Sequence, residues 1–280
     1  MRNTQKKTNK ILNTLVNKYF NENKWGLKAN NTFKMNLLST RINSLPVSAT
    51  LAMAAKAREL KNQGIDVIGL SLGEPDFNTP EFIKHAAVKA VQDNWNSYSP
   101  VDGYSDLKNA ICIKFKRDNN LDYSPSQIVV STGAKQSIAN VCMVLLDPSD
   151  EVLLPAPYWV SYSAIATLAE AKSTIIPSSI ESDFKITPAQ LEAAITPRTK
   201  LVMFNSPNNP SGSIYSEEEF RSLGKVLVKY PDIFILSDEI YEHINYGADH
   251  FSIASIPELY DRTITVNGVA KAFAMTGWRI

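Results

Sequence analysis

The chain has 280 residues, carries 29 Lys and Arg against 28 Asp and Glu, and is 44% hydrophobic and 20% charged. That length fits one large domain, or one domain plus part of a second, and the composition excludes a disordered, collagen-like or fibrous repeat chain. No apolar run approaches the roughly 20 residues a membrane-spanning helix needs, so no membrane partner is predicted.

The net charge of +1 conceals an asymmetry. Residues 1–34 hold eight basic residues and one acid, Glu22, for a local +7, which leaves −6 on the rest of the chain. An acidic body argues against a nucleic-acid partner, because phosphate contacts need clustered Lys and Arg. Residues 1–34 are also rich in Asn, with Ile11, Leu12, Leu15, Val16, Tyr19 and Phe20 at helical spacing. They read as a basic extension without fixed structure, poorly matched to a transit or secretory leader. Cys112 and Cys142 both sit in apolar helix-like runs, which predicts two buried thiols and a reducing, cytoplasmic compartment.

In chain order, a helix is predicted from Val47 to Lys61, ending near Gly64, and a strand from Asp66 to Leu72. Thr79-Pro80-Glu81 opens the next helix, and Ser105 is predicted to cap another that carries Leu107, Ile111, Ile113 and Phe115. A strand from Gln127 to Ser131 and a helix from Ala134 to Leu146 follow. Further strands are predicted at Glu151–Leu154, Ser173–Ile176, Leu201–Asn205, Ile233–Ser237 and Thr263–Val266. Helices begin at Thr187-Pro188 and at Ser216, where Glu219 completes a capping box. Such alternation implies crossover units and an α/β fold with a mostly parallel sheet covered by helices on both faces.

In open α/β sheets, ligands gather outside the carboxyl ends of the strands. The residues just past the predicted strands are Gly133-Ala134-Lys135, Asn205 with Asn208-Asn209-Pro210, Asp238-Glu239, and Gly268 to Lys271. Free amides at the Gly133-Ala134 turn would suit an anion. The Lys135 side chain is expected to point to solvent or to a structural partner. Asp238 follows four apolar residues, so it is either a desolvated carboxylate awaiting a cation or the cap of a turn starting at Glu239. Lys271, flanked by Ala270, Ala272, Phe273 and Ala274, would lose charge by desolvation, and a neutral amine can bond an aldehyde. If Lys271 leads into an extended segment, Arg279 could converge on the same ligand; otherwise the two merely flank an edge strand.

The ordered motifs Ser71–Phe77 (SLGEPDF), Ser131–Gln136 (STGAKQ), Pro155–Tyr162 (PAPYWVSY), Asn205–Gly212 (NSPNNPSG), Ser237–His243 (SDEIYEH) and Asn267–Arg279 (NGVAKAFAMTGWR) resemble the class I aminotransferases. The likeness is to the bacterial aspartate aminotransferase branch of the fold-type I pyridoxal-phosphate enzymes and covers Leu38 to Ile280. It implies a seven-stranded-type sheet and pyridoxal 5'-phosphate as cofactor. It also divides the chain into residues 35–72, the start of a small domain, and residues 73–280, a cofactor-binding large domain incomplete at its C-terminal end.

By position, the resemblance makes Lys271 the catalytic lysine that bonds the cofactor and then shuttles a proton. It gives Asp238 the pyridinium proton and Tyr241 and Asn209 the ring's phenolic oxygen. Trp159 would stack on the ring. Gly133, Ala134 and Arg279 would hold the phosphate, with Lys135 in the same cofactor-binding turn. Gly73, Trp159 and Asn209 would face the substrate, and Tyr98 would reach the phosphate of a neighbouring subunit, which implies a homodimer. The implied reaction is amino transfer between an amino acid, aspartate foremost, and a 2-oxo acid such as 2-oxoglutarate. Prephenate or aromatic amino transfer, C–S lyase chemistry and an inactive remnant are the alternatives.

Several positions depart from the family pattern. Ser211 replaces a usual threonine, Ala270 stands where a hydroxyl residue often precedes the lysine, and Gly268 stands where some relatives place a phosphate-binding serine. The sequence also stops at Ile280, inside a motif that continues in the family. The arginine that pairs with the substrate α-carboxylate has no counterpart at its motif position. The expectation is a chain with exposed apolar surface and crippled catalysis if it acts alone.

Overall fold

The computed structural model describes residues 38–45, 49–69, 73–247 and 249–280. The expected 1–34 extension lies outside them. The chain divides into two units, Met1–Ser39 and Thr40–Ile280, and the second holds everything that follows.

Five parallel strands form the sheet: β1 (Glu151–Pro155), β2 (Lys172–Ile176), β3 (Thr199–Asn205), β4 (Phe234–Asp238) and β5 (Thr263–Val266), in the order β2-β1-β3-β4-β5. The helices are α1 (Thr40–Asn43), α2 (Ala49–Asn62), α3 (Glu81–Gln92), α4 (Ser105–Asn119), α5 (Ala134–Leu145), α6 (Ser161–Leu168), α7 (Pro188–Ala194), α8 (Glu217–Leu227) and a single turn, α9 (Val269–Ala272). The central strands are buried on both faces, which is why β3 reads as an almost unbroken apolar run.

Alternate residues of each strand feed two cores. Leu153, Val202, Phe204 and Ile235 pack with Leu191 of α7 and with Phe220 and Leu223 of α8. Val152, Leu154, Leu201, Met203 and Leu236 pack on the other face with Ile138 and Cys142 of α5 and Tyr162 and Ile165 of α6. Helix α8 shows how local sequence and packing agree. Ser216 accepts from the Glu219 amide while Glu219 accepts from the Ser216 amide, and Glu217, Glu218 and Glu219 face the positive end of the helix dipole.

Several expectations need correction. Residues 127–131 form no strand: Pro125–Gln127 is a 3-10 turn, and the Val130 amide bonds the Asp102 carbonyl instead of a ladder partner. Residues 66–69 are irregular as well, and 70–72 lie outside the described residues. Both stretches are apolar enough for a strand, but a strand also needs an edge to pair with. The sheet thus has five strands among the described residues, not a seven-stranded count. Ser105 sits inside the first turn of α4, with Tyr104 at the cap position and no side-chain cap. Helix α6 was not foreseen. Cys142 is buried as expected, but Cys112 is only partly so, and both thiols are free.

The outer edge of β5 has no pairing partner among the described residues. Beside it lies an apolar groove of about 640 Å³, lined by Ile264 and Val266 of β5, Ile128, Val129 and Val130, and by Ile280. No helix among the described residues is long and apolar enough to cross a membrane.

Candidate active site

The strand order reverses between β1 and β3: the chain leaves β1 for β2 on one side and continues from β3 to β4 and β5 on the other. Such switch points open a crevice at the carboxyl ends of the strands. Asn205 ends β3 and Asp238 ends β4, and the two are paired in the ladder, as are Asp238 and Val266 of β5. Strand β4 runs one residue past its expected end, so Asp238 is held by the sheet itself.

Asp238 is 3% exposed. Its Oδ2 accepts from the Tyr162 hydroxyl at 2.6 Å and its Oδ1 from the Ile240 amide at 3.3 Å. The residue therefore combines both readings left open by the sequence, a desolvated carboxylate and the cap of a turn. Burial pushes its pKa up to about 6, with the Tyr162 and Ile240 donors pulling down and the neighbouring Glu239 adding to the rise. Tyr162 was missed in the sequence; an aromatic inside an aromatic-rich run gives no sign of its partner 76 positions away.

Asn205 fastens the next layer. Its Nδ2 donates to the carbonyls of Pro207 and Asp238, and its Oδ1 accepts from the Asn209 amide at 2.7 Å. That orients Asn209, whose Nδ2 donates to the Tyr241 hydroxyl at 3.3 Å. The Lys271 ammonium lies 5.7 Å from the centroid of the Tyr241 ring. Lys271 sits in the one-turn helix α9, not in an extended segment; Asn267 and Gly268 lead from β5 into that turn. Its Nζ donates to the Gly73 carbonyl. Burial lowers its pKa, Arg279 lowers it further and Glu74 opposes the shift.

Arg279 approaches from the far end of that bend. Its Nη2 donates to the Thr132 carbonyl and its Nη1 to the Thr276 carbonyl. Gly133 caps α5 at φ +84°, and a Cβ there would lie 2.5 Å from Arg279 Nη2. Only glycine both adopts that angle readily and leaves the guanidinium room. The first amides of α5, at Ala134 and Lys135, therefore open beside a cation. Lys135 turns away from this turn to lie 4.7 Å from the centroid of Trp159, whose ring meets Tyr162 edge-on at 5.5 Å.

Contacts thus link Gly73, Lys271, Tyr241, Asn209, Asn205 and Asp238 in one series, Tyr162 joins Asp238 to Trp159 and through it to Lys135, and Gly133 lies against Arg279. Tyr98 stands apart and is fully exposed. Glu239 and Glu242, buried behind the site, are held by Ser237, Ser252 and His250 and by Lys114, Asn119 and His243 respectively.

A primary amine with weakened charge, a buried carboxylate, a phenol–carboxamide pair, an aromatic ring and a helix N-terminus next to an arginine form one donor set. Its chemistry fits an aldehyde-bearing, phosphorylated pyridine. The amine can bond the aldehyde, the carboxylate can hold a ring N–H, and the amides with Arg279 can take the phosphate.

The chain is similar to known proteins over most of its length. Residues 65–280 match the family described as aminotransferase class I and II. The chain is 52% identical over 245 residues to the aspartate/prephenate aminotransferase of Nitrosomonas europaea, covering 87% of this chain and 62% of that protein. It is 50% identical to the aspartate aminotransferase of Bacillus subtilis, with the same coverage. Among solved structures, it superposes on the aspartate aminotransferase from Rhizobium meliloti with a TM-score of 0.84 at 48% identity, covering 86% of this chain and 61% of that one. The Thermus thermophilus aspartate aminotransferase with maleate gives 0.84 at 43% identity, covering 88% and 63%. The chain therefore spans a little over three fifths of the length of these relatives.

Proposed function

The chain belongs to the class I and II aminotransferases, and we propose that it binds pyridoxal 5'-phosphate and transfers an amino group between aspartate and 2-oxoglutarate. The observation that carries this reading is the linked placement of Lys271 and Asp238 at the sheet's switch point. The names of the relatives, aspartate and aspartate/prephenate aminotransferases, and the maleate held by the Thermus enzyme favour a dicarboxylic substrate. Prephenate is the second acceptor that the Nitrosomonas name supports.

In this reading Lys271 would hold the cofactor through its aldehyde carbon with loss of water, Asp238 would hold the ring nitrogen, and Asn209 and Tyr241 the phenolic oxygen. Trp159 would cover the ring, and Gly133, the backbone amides of Ala134 and Lys135, and Arg279 would hold the phosphate. The cofactor supplies an electron sink for a substrate carbanion. The protein supplies the protons and the orientation. Lys271 Nζ, its charge disfavoured by burial, is the general base at the substrate Cα and the acid that returns the proton. Asp238, kept from water, retains a proton at the ring nitrogen. Gly73 and the asparagine pair orient the substrate. Tyr98, exposed on this chain, serves the site of a second subunit in a homodimer. Two free cysteines suit the cytoplasm.

The test is direct. Purified protein mixed with pyridoxal phosphate should develop a visible absorbance band that Lys271→Ala abolishes, and aspartate should bleach it. A band that survives Lys271→Ala would overturn the lysine's role. A band that aspartate leaves untouched would reduce the function to cofactor binding. Sedimentation of the loaded protein at one-chain mass would refute the dimer.

A further inference from the structure

Tyr162 and Asp238 are joined by a buried side-chain hydrogen bond. Tyr162 lies in α6 and is 1% exposed, its ring pinned edge-on by Trp159. Its hydroxyl donates to Asp238 Oδ2 at 2.6 Å, the range of a charge-assisted bond. Of the roughly four acceptor positions of an ionised carboxylate, this bond and the Ile240 amide occupy two. We infer that Tyr162 is a positioning residue that fixes the Asp238 carboxylate and sets how firmly that carboxylate holds a proton on the cofactor's ring nitrogen. This inference rests on the cofactor reading of the site.

The surroundings leave that task to Tyr162. Among the described residues, the ionisable groups that interact with Asp238 are Tyr162, Glu239 and Tyr241, none of them a cation. Glu239 is itself engaged by Ser237, Ser252 and His250 and is like-charged, so it can only weaken the ionised form of Asp238. The Tyr241 hydroxyl accepts from Asn209 Nδ2, and Asp238's two hydrogen bonds come from Tyr162 and the Ile240 amide. The Tyr162 hydroxyl is therefore the side-chain donor that stabilises the ionised carboxylate. Burial and the adjacent Asp238 raise the hydroxyl's own pKa well above normal, so it stays a donor at any working pH.

Tyr162→Phe removes one oxygen and keeps the ring that packs on Trp159. The experiment follows the Asp238 side-chain carbon by NMR in the full-length protein, with Asp238→Asn marking its resonance. In Tyr162→Phe the Asp238 titration midpoint should move upward by about one pH unit, as loss of one hydrogen bond to a charged group implies. Affinity for pyridoxal phosphate should fall roughly tenfold by the same arithmetic. Tyr162→His, which restores a donor, should recover part of both, whereas a purely structural role would leave the midpoint in place. An unchanged midpoint and unchanged affinity in Tyr162→Phe would overturn the inference alone. Absence of pyridoxal phosphate binding by the unmutated protein would overturn the cofactor reading and with it the role assigned to Tyr162.

Discussion

The Nζ of Lys271 donates to the main-chain carbonyl of Gly73, a residue 198 positions earlier in the chain. The bond fixes where the amine sits, while burial lowers its pKa, Glu74 opposes that shift and Arg279 adds to it.

The first prediction concerns that balance. Attachment of pyridoxal phosphate needs the neutral amine, so its rate should rise with pH through a midpoint below the ordinary 10.5. Glu74→Gln removes the charge that favours the ammonium and should move the midpoint lower still. Stopped-flow absorbance across pH 6–10 measures both, and a midpoint unmoved or raised by Glu74→Gln would contradict the electrostatic account.

Asp238 offers a test on stability. Its folded pKa, about 6, lies above the ordinary 3.8, so its contribution is fully favourable below pH 3.8 and is lost as pH rises through 6. The loss approaches ~3 kcal/mol for a shift of this size. Without cofactor, Asp238→Asn should therefore be more stable than the parent in urea at pH 7.5 and equal to it near pH 4. The same substitution should abolish tight cofactor binding, a trade of stability for function.

Gly133→Ala should act on the phosphate end alone. The added carbon meets Arg279 Nη2 at 2.5 Å and sits at φ +84°, ψ 157°, a nearly glycine-only conformation that costs an L-residue about 1–3 kcal/mol. Isothermal titration with pyridoxal phosphate should show affinity reduced roughly tenfold or more while the circular dichroism spectrum is retained.

Arg262 makes a structural prediction away from the site. Its guanidinium donates to the carbonyls of Leu227, Tyr230 and Ile233, closing the C-terminal end of α8 and the turn into β4. Arg262→Ala should lower unfolding free energy by about 2 kcal/mol, and Arg262→Lys should restore little, because an ammonium cannot fork to three carbonyls. Urea unfolding curves decide it.

How much could be read from the sequence depended on what each residue's neighbours had to supply. Thr263–Val266 and Leu201–Asn205 were legible because strand, turn and apolar period agree within a few residues, and the α8 cap was legible because Ser216 and Glu219 lie three apart. The likeness of motif order named most of the residues now found in one contact series. Val129 and Val130 misled because an apolar run says nothing about whether a ladder partner exists. Tyr162 and Asn205 stayed hidden as positioning groups for the same reason: their significance lies in Asp238 and Asn209, which only the fold brings near. The helical turn at Lys271 was obscured by small residues that suit a bend and a strand equally.

The unpaired side of β5 has a practical consequence. Among the described residues no strand pairs with the outer side of Thr263-Ile-Thr-Val266, which carries no lysine or proline to deter a visitor, and the oily trough beside it rewards any strand that docks. Newly made chains will find one another at this seam as readily as they find a ligand. The yield of soluble material will therefore fall with concentration, and expression at low level or with a holdase chaperone will recover more usable protein than stronger induction.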